Sequence, residues 1–430
     1  MLDKKNVLVF PAGSQNGLDI YRAIKNNIHF SVFGLSGIDD HARFIYEKNH
    51  IEISKKYYIS NENFLNHLNE LITRWNISFI IPTHDSIAVY LLKNAVYINA
   101  TIVCSPLETT LIAEDKSKMF DELKNESYFP NVYKVDSEEI HFPVFLKPNI
   151  SAGGKGTCLI NNRTELNATI NSTINKDYLL YEYLPGKEIT VDCFTDKNGD
   201  LLFVGPRTRE RITQGISYRS RRVETNDEIF EIANSLNRHF TFRGLWYFQL
   251  KEDSTGHYKF MEFSVRHAGT MSFYRQLGVN FPLLSLFDFM GYNVSIMVND
   301  FNLILDRAIE TKYLIDYNYN VIYVDFDDTI IVNNKVNLEL IKFLYSSLNN
   351  NKRIILLTKH EKDITNSLLK YKICREIFSE IIIIDPNKQK YEYIDTIDAI
   401  FIDNYFPERQ SVYKHCHIPV FDVDAIECLI

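Results

Sequence analysis

Apolar runs of buried-strand type alternate with helical stretches at the start of the chain. Asn6-Val7-Leu8-Val9-Phe10 is one such run; the turn Pro11-Ala12-Gly13-Ser14-Gln15-Asn16-Gly17 follows, and a helical pattern begins at Leu18. The plan recurs at Phe30 to Phe33 with Gly34, and at Phe79-Ile80-Ile81-Pro82 with Thr83-His84-Asp85. Strands alternating with helices predict a parallel, doubly wound α/β sheet. The glycine turn is an incomplete dinucleotide fingerprint without an acidic ribose partner, so it reads as a tight structural turn. From about Leu111 to Glu310 the strands become rich in Val, Ile, Tyr and Phe, which predicts an α+β arrangement. A polar link, Asp316-Tyr317-Asn318-Tyr319-Asn320, then leads to Val321-Ile322-Tyr323-Val324 and a further α/β unit. The expected domains are 1–110, 111–315 and 321–430.

The middle segment carries an ordered set of chemical groups. Glu114-Asp115-Lys116 opens a helix, and Phe142 to Pro148 is a strand ending on Lys147. It runs into Ser151-Ala152-Gly153-Gly154-Lys155-Gly156, a loop whose N–H groups suit a polyphosphate. Next comes Leu179 to Glu188, where an apolar stretch with free backbone edges suits adenine and a carboxylate a few residues on suits ribose hydroxyls. Finally, a hairpin turn at Ser254-Thr255-Gly256 joins Tyr247–Leu250 to Phe260–Arg266. Strand alternation places Gln249, Glu262, Ser264 and Arg266 on one polar face, where oxygen ligands suit Mg²⁺.

These pieces, in this order, resemble the ATP-grasp superfamily, nearest to the large chain of carbamoyl-phosphate synthetase and its carboxylate-ligase relatives. The resemblance covers roughly Met1 to Glu310 and implies a Rossmann-like pre-ATP-grasp domain followed by the ATP-grasp fold. It implies ATP and Mg²⁺ (or Mn²⁺) as cofactors. Lys116 and Lys147 match the phosphate-binding bases, Ser151, Gly153, Gly154 and Gly156 the phosphate lid, Glu182, Tyr183 and Leu184 the adenine hinge, and Glu188 the ribose acid. Gln249, Glu262 and Ser264 match the metal ligands, with Ser264 standing where the family usually has Asn, and Arg266 matches the arginine that steadies the transferred phosphoryl. The implied reaction forms an acyl phosphate and ADP from a carboxylate, after which an amine displaces phosphate.

Six arginines lie between Gly205 and Arg222. Arginine suits bidentate carboxylate or phosphate recognition. Arg209 is the first choice for the substrate carboxylate, with Arg211, Ser217 and Arg219 beside it; so many cations also suggest a phosphorylated partner substrate.

In the last unit, Val324-Asp325-Phe326-Asp327-Asp328-Thr329 leaves a buried strand with carboxylates at its C-terminal end, where ligands bind in open α/β sheets. Strands ending at Thr358 and at Asp403-Asn404 follow, with Lys390 between them. The set resembles the haloacid-dehalogenase-like phosphatases, in a capless Rossmannoid form. That resemblance implies Asp325 as nucleophile, Asp327 as acid/base, Thr358 and Lys390 (with Lys388 as competitor) on the phosphoryl oxygens, and Asp325, Asp327 and Asp403 around Mg²⁺.

Composition narrows the setting. A net charge of −8 argues against nucleic acid and anionic membranes as partners. Six scattered cysteines without a C-x-x-C pair point to a reducing, cytoplasmic location. The expected partners are a small carboxylate and an amine, with homodimers common among such ligases. The alternatives are a nucleotide-sensing module with a degenerate ligase site, or a ligase with an inactive phosphatase-like domain.

Overall fold

The computed structural model describes residues 4–149, 156–172, 178–213, 215–308 and 310–429. The chain forms two compact units, 1–308 and 309–430. Segments 1–110 and 111–308 stand together because one apolar cluster runs from Leu8, Phe10 and Leu68 to Trp246, Phe248 and Phe263.

In the first unit, Ile51–Ile53, Phe30–Ser36, Lys5–Phe10, Ile77–Pro82 and Thr101–Ile102 form a parallel sheet in that order. The helix after the first strand spans Gln15–Ile24, and the Ser14 side chain caps it by accepting from the Gly17 N–H. Gly17 therefore lies in the first turn of the helix, where a Cβ would come within 2.5 Å of the Ala12 carbonyl oxygen. Gly34 does not end its strand as the pattern predicts. It sits inside Phe30–Ser36, where a Cβ would come within 2.7 Å of Ile51 and 2.9 Å of Ala12. Close packing rather than turning requires glycine there.

Two antiparallel sheets follow. One has the order Val132–Tyr133, Tyr178–Glu182, Val144–Pro148, Cys158–Ile160. The other has the order Leu201–Thr208, Glu188–Thr195, Gly244–Glu252, Tyr258–Ser264. The helix Asp227–His239 buries Ile229, Ile232, Ala233 and Leu236 in the apolar cluster that Val191 and Phe248 of this sheet also join. The predicted hairpin is present, with Gly256 at φ +88° and Gln249 opposite Glu262. Its second strand stops at Ser264, so Arg266 lies in the bend beyond rather than in the strand. A small sheet joins Glu210–Thr213, Ile216–Arg221 and Ile304–Asp306.

The second unit has a parallel sheet in the order Glu380–Ile383, Arg353–Thr358, Val321–Val324, Ala399–Ile402, Val420–Phe421. Its central strands are apolar on both faces, as a sheet covered by helices requires. Asp325, Thr358 and Asp403 leave adjacent strands at the same end.

All six cysteines are free thiols. Among the described residues, no helix is long and apolar enough to cross a membrane.

Candidate functional site

Lys116 begins the helix Lys116–Leu123, which Asp115 caps by accepting from Ser117 and Lys118 N–H. The capped start directs a buried lysine towards Glu262, with Nζ 3.9 Å from Oε2. Lys147 reaches the same carboxylate field from the strand Val144–Pro148. Its ammonium lies 3.9 Å from Met261 Sδ and over the Tyr181 ring, 5.1 Å from the centroid. Burial, with Lys116 nearby and only partly offset by Glu262, lowers Lys147 to about 8. This lysine sits in a place where an incoming anion would be strongly favoured.

Gln249 and Glu262 face one another across the hairpin. Among the described residues no group of three His, Cys, Asp or Glu side chains could hold a metal by itself. A single carboxylate with an amide fits Mg²⁺, which binds through one or two carboxylates and takes its remaining oxygens from phosphates and water.

Beyond Glu262 the strand carries a clamp. Asp85, at the start of the helix Asp85–Lys93, accepts from Ser264 Oγ at 2.6 Å and from Arg266 Nε at 2.8 Å. Burial pushes Asp85 up, but Arg266 and Ser264 outweigh it and hold the carboxyl below its usual range. The sequence reading missed Asp85 as a partner, although its place after the Ile77–Pro82 strand, at the ligand-binding end of a parallel sheet, was a signal. The Ser264 hydroxyl is engaged with Asp85, so Gln249 and Glu262 are the residues that fit a metal here.

Glu182 accepts from Asn131 N–H and Nδ2 at 3.0 and 2.9 Å, fixing the strand end; Tyr183 is exposed and Leu184 is buried. Gly156 adopts φ +77°, open only to glycine without strain. Ser151, Gly153 and Gly154 lie outside the described residues.

The arginine-rich stretch is internally matched. Arg207 is buried and forms a bidentate pair with Asp192, Nε–Oδ2 2.6 Å and Nη2–Oδ1 3.0 Å. Arg209 Nε lies 2.6 Å from Glu188 Oε1, off the N–H axis, so the contact is an ion pair. Two residues assigned to different ligands, ribose and carboxylate, are thus brought together. Arg211 and Arg219 both reach Asp306, Arg221 pairs with Glu210, and Arg222 with Asp300. Ser217 Oγ donates to backbone carbonyls of its own hairpin. The stretch is less cationic than the sequence suggests, because each arginine has an acid of this chain beside it.

In the second unit, Lys390 Nζ donates to Asp325 Oδ1 and Asp403 Oδ2, both at 2.6 Å. Lys388 is exposed, so Lys390 is the lysine that reaches the carboxylates. Burial raises both acids against the pull of Lys390, Asp403 to about 6. Two buried carboxylates share one ammonium, and the excess negative charge suits a divalent cation. Thr329 Oγ1 links Asp325 to Asn404, and Thr358 is fully buried beside them. Asp327 is exposed and meets His360 instead.

Residues 175–311 match the family described as ATP-grasp in the biosynthetic pathway with Ter operon. The chain is 27% identical over 209 residues to a formate-dependent phosphoribosylglycinamide formyltransferase of Prochlorococcus marinus, covering 44% of this chain and 53% of that protein. It therefore spans about half the length of the curated relatives it matches. The structure of N5-carboxyaminoimidazole synthetase from Staphylococcus aureus superposes with a TM-score of 0.58 at 16% identity, over 70% of this chain and 82% of that one. Over 70% of its length the chain shares the fold of that synthetase, and the ATP-grasp match lies within residues 175–311. An L-amino acid ligase from Bacillus licheniformis superposes with a TM-score of 0.52 at 14% identity, over 66% of this chain and 74% of that one.

Proposed function

We propose that the first unit is an ADP-forming ligase that joins a small carboxylate to an amine through an acyl phosphate, using ATP and Mg²⁺. The observation that carries this reading is the convergence of Lys116, Lys147 and Glu262 beside Gln249, with Asp115 capping the helix start at Lys116 and Asp85 holding Ser264 and Arg266 just beyond Glu262. Similarity to a formate-dependent formyltransferase and to an L-amino acid ligase supports this reaction class. Lys116 and Lys147 bind and orient the polyphosphate, and Arg266, held by Asp85, faces the transferred group. Glu182 to Leu184 receive the adenine and Glu188 the ribose, after Arg209 gives up its hold on that carboxylate. Gln249 and Glu262 would hold Mg²⁺, which supplies charge neutralisation at the phosphates. ADP release that requires both a carboxylate and an amine, and that disappears in Glu262→Gln, is the expected result. Turnover that persists in Glu262→Gln would refute the assignment.

For the second unit the proposal is a phosphomonoesterase acting on a phosphorylated substrate or product of the ligase. Three buried groups, Asp325, Asp403 and Lys390, support it by holding a carboxylate nucleophile, a second acid and a phosphate-binding cation at one sheet end. Hydrolysis of p-nitrophenyl phosphate in the presence of Mg²⁺, lost in Asp325→Asn, is the corresponding measurement.

A further inference from the structure

Asp327 differs from the other acids of its site. Its side chain is 57% exposed, and an exposed carboxylate ordinarily samples several rotamers. Here it meets an imidazole from the next strand end. His360 Nδ1 lies 2.8 Å from Asp327 Oδ2 and 3.0 Å from Oδ1, so it spans both oxygens. The ring is not free to swing. His360 Nε2 lies 2.7 Å from Ser367 Oγ on the helix Ile364–Lys370, and Phe326 packs edge-on at 4.9 Å. The His360 N–H of the backbone donates to Thr358 Oγ1, tying the ring to the end of the Arg353–Thr358 strand. With Nδ1–H donating to the carboxylate, Nε2 accepts from the Ser367 hydroxyl, so one tautomer satisfies every contact.

We infer that His360, braced by Ser367, is a positioning residue that fixes the carboxyl of Asp327 for proton transfer to the leaving group of a phosphomonoester, an inference that rests on the phosphatase reading of this unit. In the step concerned, an Asp325 oxygen attacks phosphorus and the phosphorus–ester oxygen bond breaks. The departing oxygen takes the proton of the Asp327 carboxyl as the bond electrons move onto it. Water then attacks the phosphoaspartate, gives its proton to the Asp327 carboxylate, and releases phosphate with Asp325 restored. His360 touches neither phosphorus nor the ester oxygen. It removes rotational freedom from the group that does, and positioning of that kind is felt most where proton transfer is most needed.

Leaving-group dependence separates this role from general support of the fold. Phenyl phosphate and p-nitrophenyl phosphate are close in shape, but p-nitrophenolate leaves with little protonation and phenolate does not. In the 430-residue chain with Mg²⁺, His360→Ala should lower kcat/KM for phenyl phosphate about tenfold or more and for p-nitrophenyl phosphate less than about threefold. His360→Asn, whose amide N–H can still donate to Asp327, should recover much of the phenyl phosphate rate. Ser367→Ala should move the ratio in the same direction by a smaller factor. Equal losses on the two esters, or an unchanged ratio, would overturn the inference while leaving the phosphatase reading intact. If the wild-type chain hydrolyses neither ester, or Asp325→Asn retains hydrolysis, that reading falls and this inference falls with it.

Discussion

Lys147 in the first unit and Lys390 in the second, both buried, set the two candidate sites apart. Lys147 is enclosed by Tyr181, Phe145 and Met261, and among the described residues no carboxylate lies within ion-pair distance of its ammonium. Lys390 is enclosed by two carboxylates, each 2.6 Å from its ammonium. Burial drives the first lysine down to about 8, whereas Asp325 and Asp403 outweigh burial and drive the second up. The same residue type, buried in both places, is therefore a charge in want of an anion in one unit and a charge already over-matched in the other. The first arrangement suits a site that receives a polyphosphate, and the second a site that receives a divalent cation.

The largest contrast should come from replacing each lysine by methionine, which keeps the length and removes the charge. Lys390→Met leaves two buried carboxylates facing one another, and losing one partner of such a cluster costs about 3–5 kcal/mol. Calorimetry should show a strongly lowered melting transition together with loss of phosphomonoester hydrolysis. Lys147→Met replaces a desolvated ammonium by a side chain suited to its aromatic surroundings. Its melting temperature should hold or rise while nucleotide affinity falls by about 10²-fold, the scale of a lost charge-assisted contact or two. Parallel destabilisation of both variants would break the comparison.

The contrast also shows what the chain's pattern could and could not convey. Strand alternation was enough to set Gln249 opposite Glu262, and the order of apolar runs was enough to bring Asp325, Thr358 and Asp403 to one sheet end. Alternation is a local property, readable over a handful of residues. The Asp85 clamp on Arg266 and Ser264 joins positions 181 and 179 residues apart, which no local period encodes. Gly34 looked like a turn because a glycine after an apolar run usually is one, yet a close approach of Ile51 and Ala12 is what excludes a side chain there. The arginine stretch misled in a third way. Its charge was visible, but the acids that match it, Asp192, Glu188, Asp306 and Asp300, come from other strands and a loop. Nothing in a single histidine, finally, distinguishes His360 from a solvated one until Asp327 and Ser367 are seen on either side of it.

Titration sharpens the comparison on the nucleotide side. Lys147 stands near 8 without ligand, and a bound polyphosphate would raise it by supplying the missing negative charge. The complex then holds a proton that the free protein loses as pH rises through about 8. Affinity for the nucleotide should be flat below pH 7 and fall above 8, approaching about tenfold per pH unit. Calorimetric titration in buffers of different ionisation enthalpy should detect proton uptake on binding at pH 8.5. Lys147→Arg, which stays charged, should flatten the profile. A wild-type profile flat to pH 9.5 would show that Lys147 carries no such linkage.

A smaller effect is expected at the clamp. Asp85→Asn keeps the shape but removes the charge that holds Arg266, leaving a half-buried guanidinium over Tyr247 at 5.7 Å from its ring. We expect the ADP-forming rate to fall about tenfold with nucleotide affinity nearly unchanged, as the proposed role of Arg266 at the transferred group rather than the bound nucleotide requires. An equal fall in affinity would place Arg266 in the nucleotide site proper.

The smallest expected shift bears directly on the over-matched lysine. Burial raises Asp403 to about 6, above the ~3.9 of an unperturbed aspartate, so the folded state holds this proton more tightly than the unfolded state does. Stability from this group is therefore fully present below about pH 4 and is lost as pH rises through 6. At pH 7 with a chelator present, the ionised Asp403 is a net cost, and Asp403→Asn should raise the melting temperature by about 2–5 °C while abolishing phosphatase turnover. The gap should narrow as pH falls towards 5, because the wild-type carboxyl then protonates in place. Added Mg²⁺ should narrow it too, by stabilising only the protein that retains both carboxylates. A variant less stable than wild type at pH 7 would mean that Lys390 needs both acids. In that case the excess negative charge at this site is structural rather than reserved for a cation.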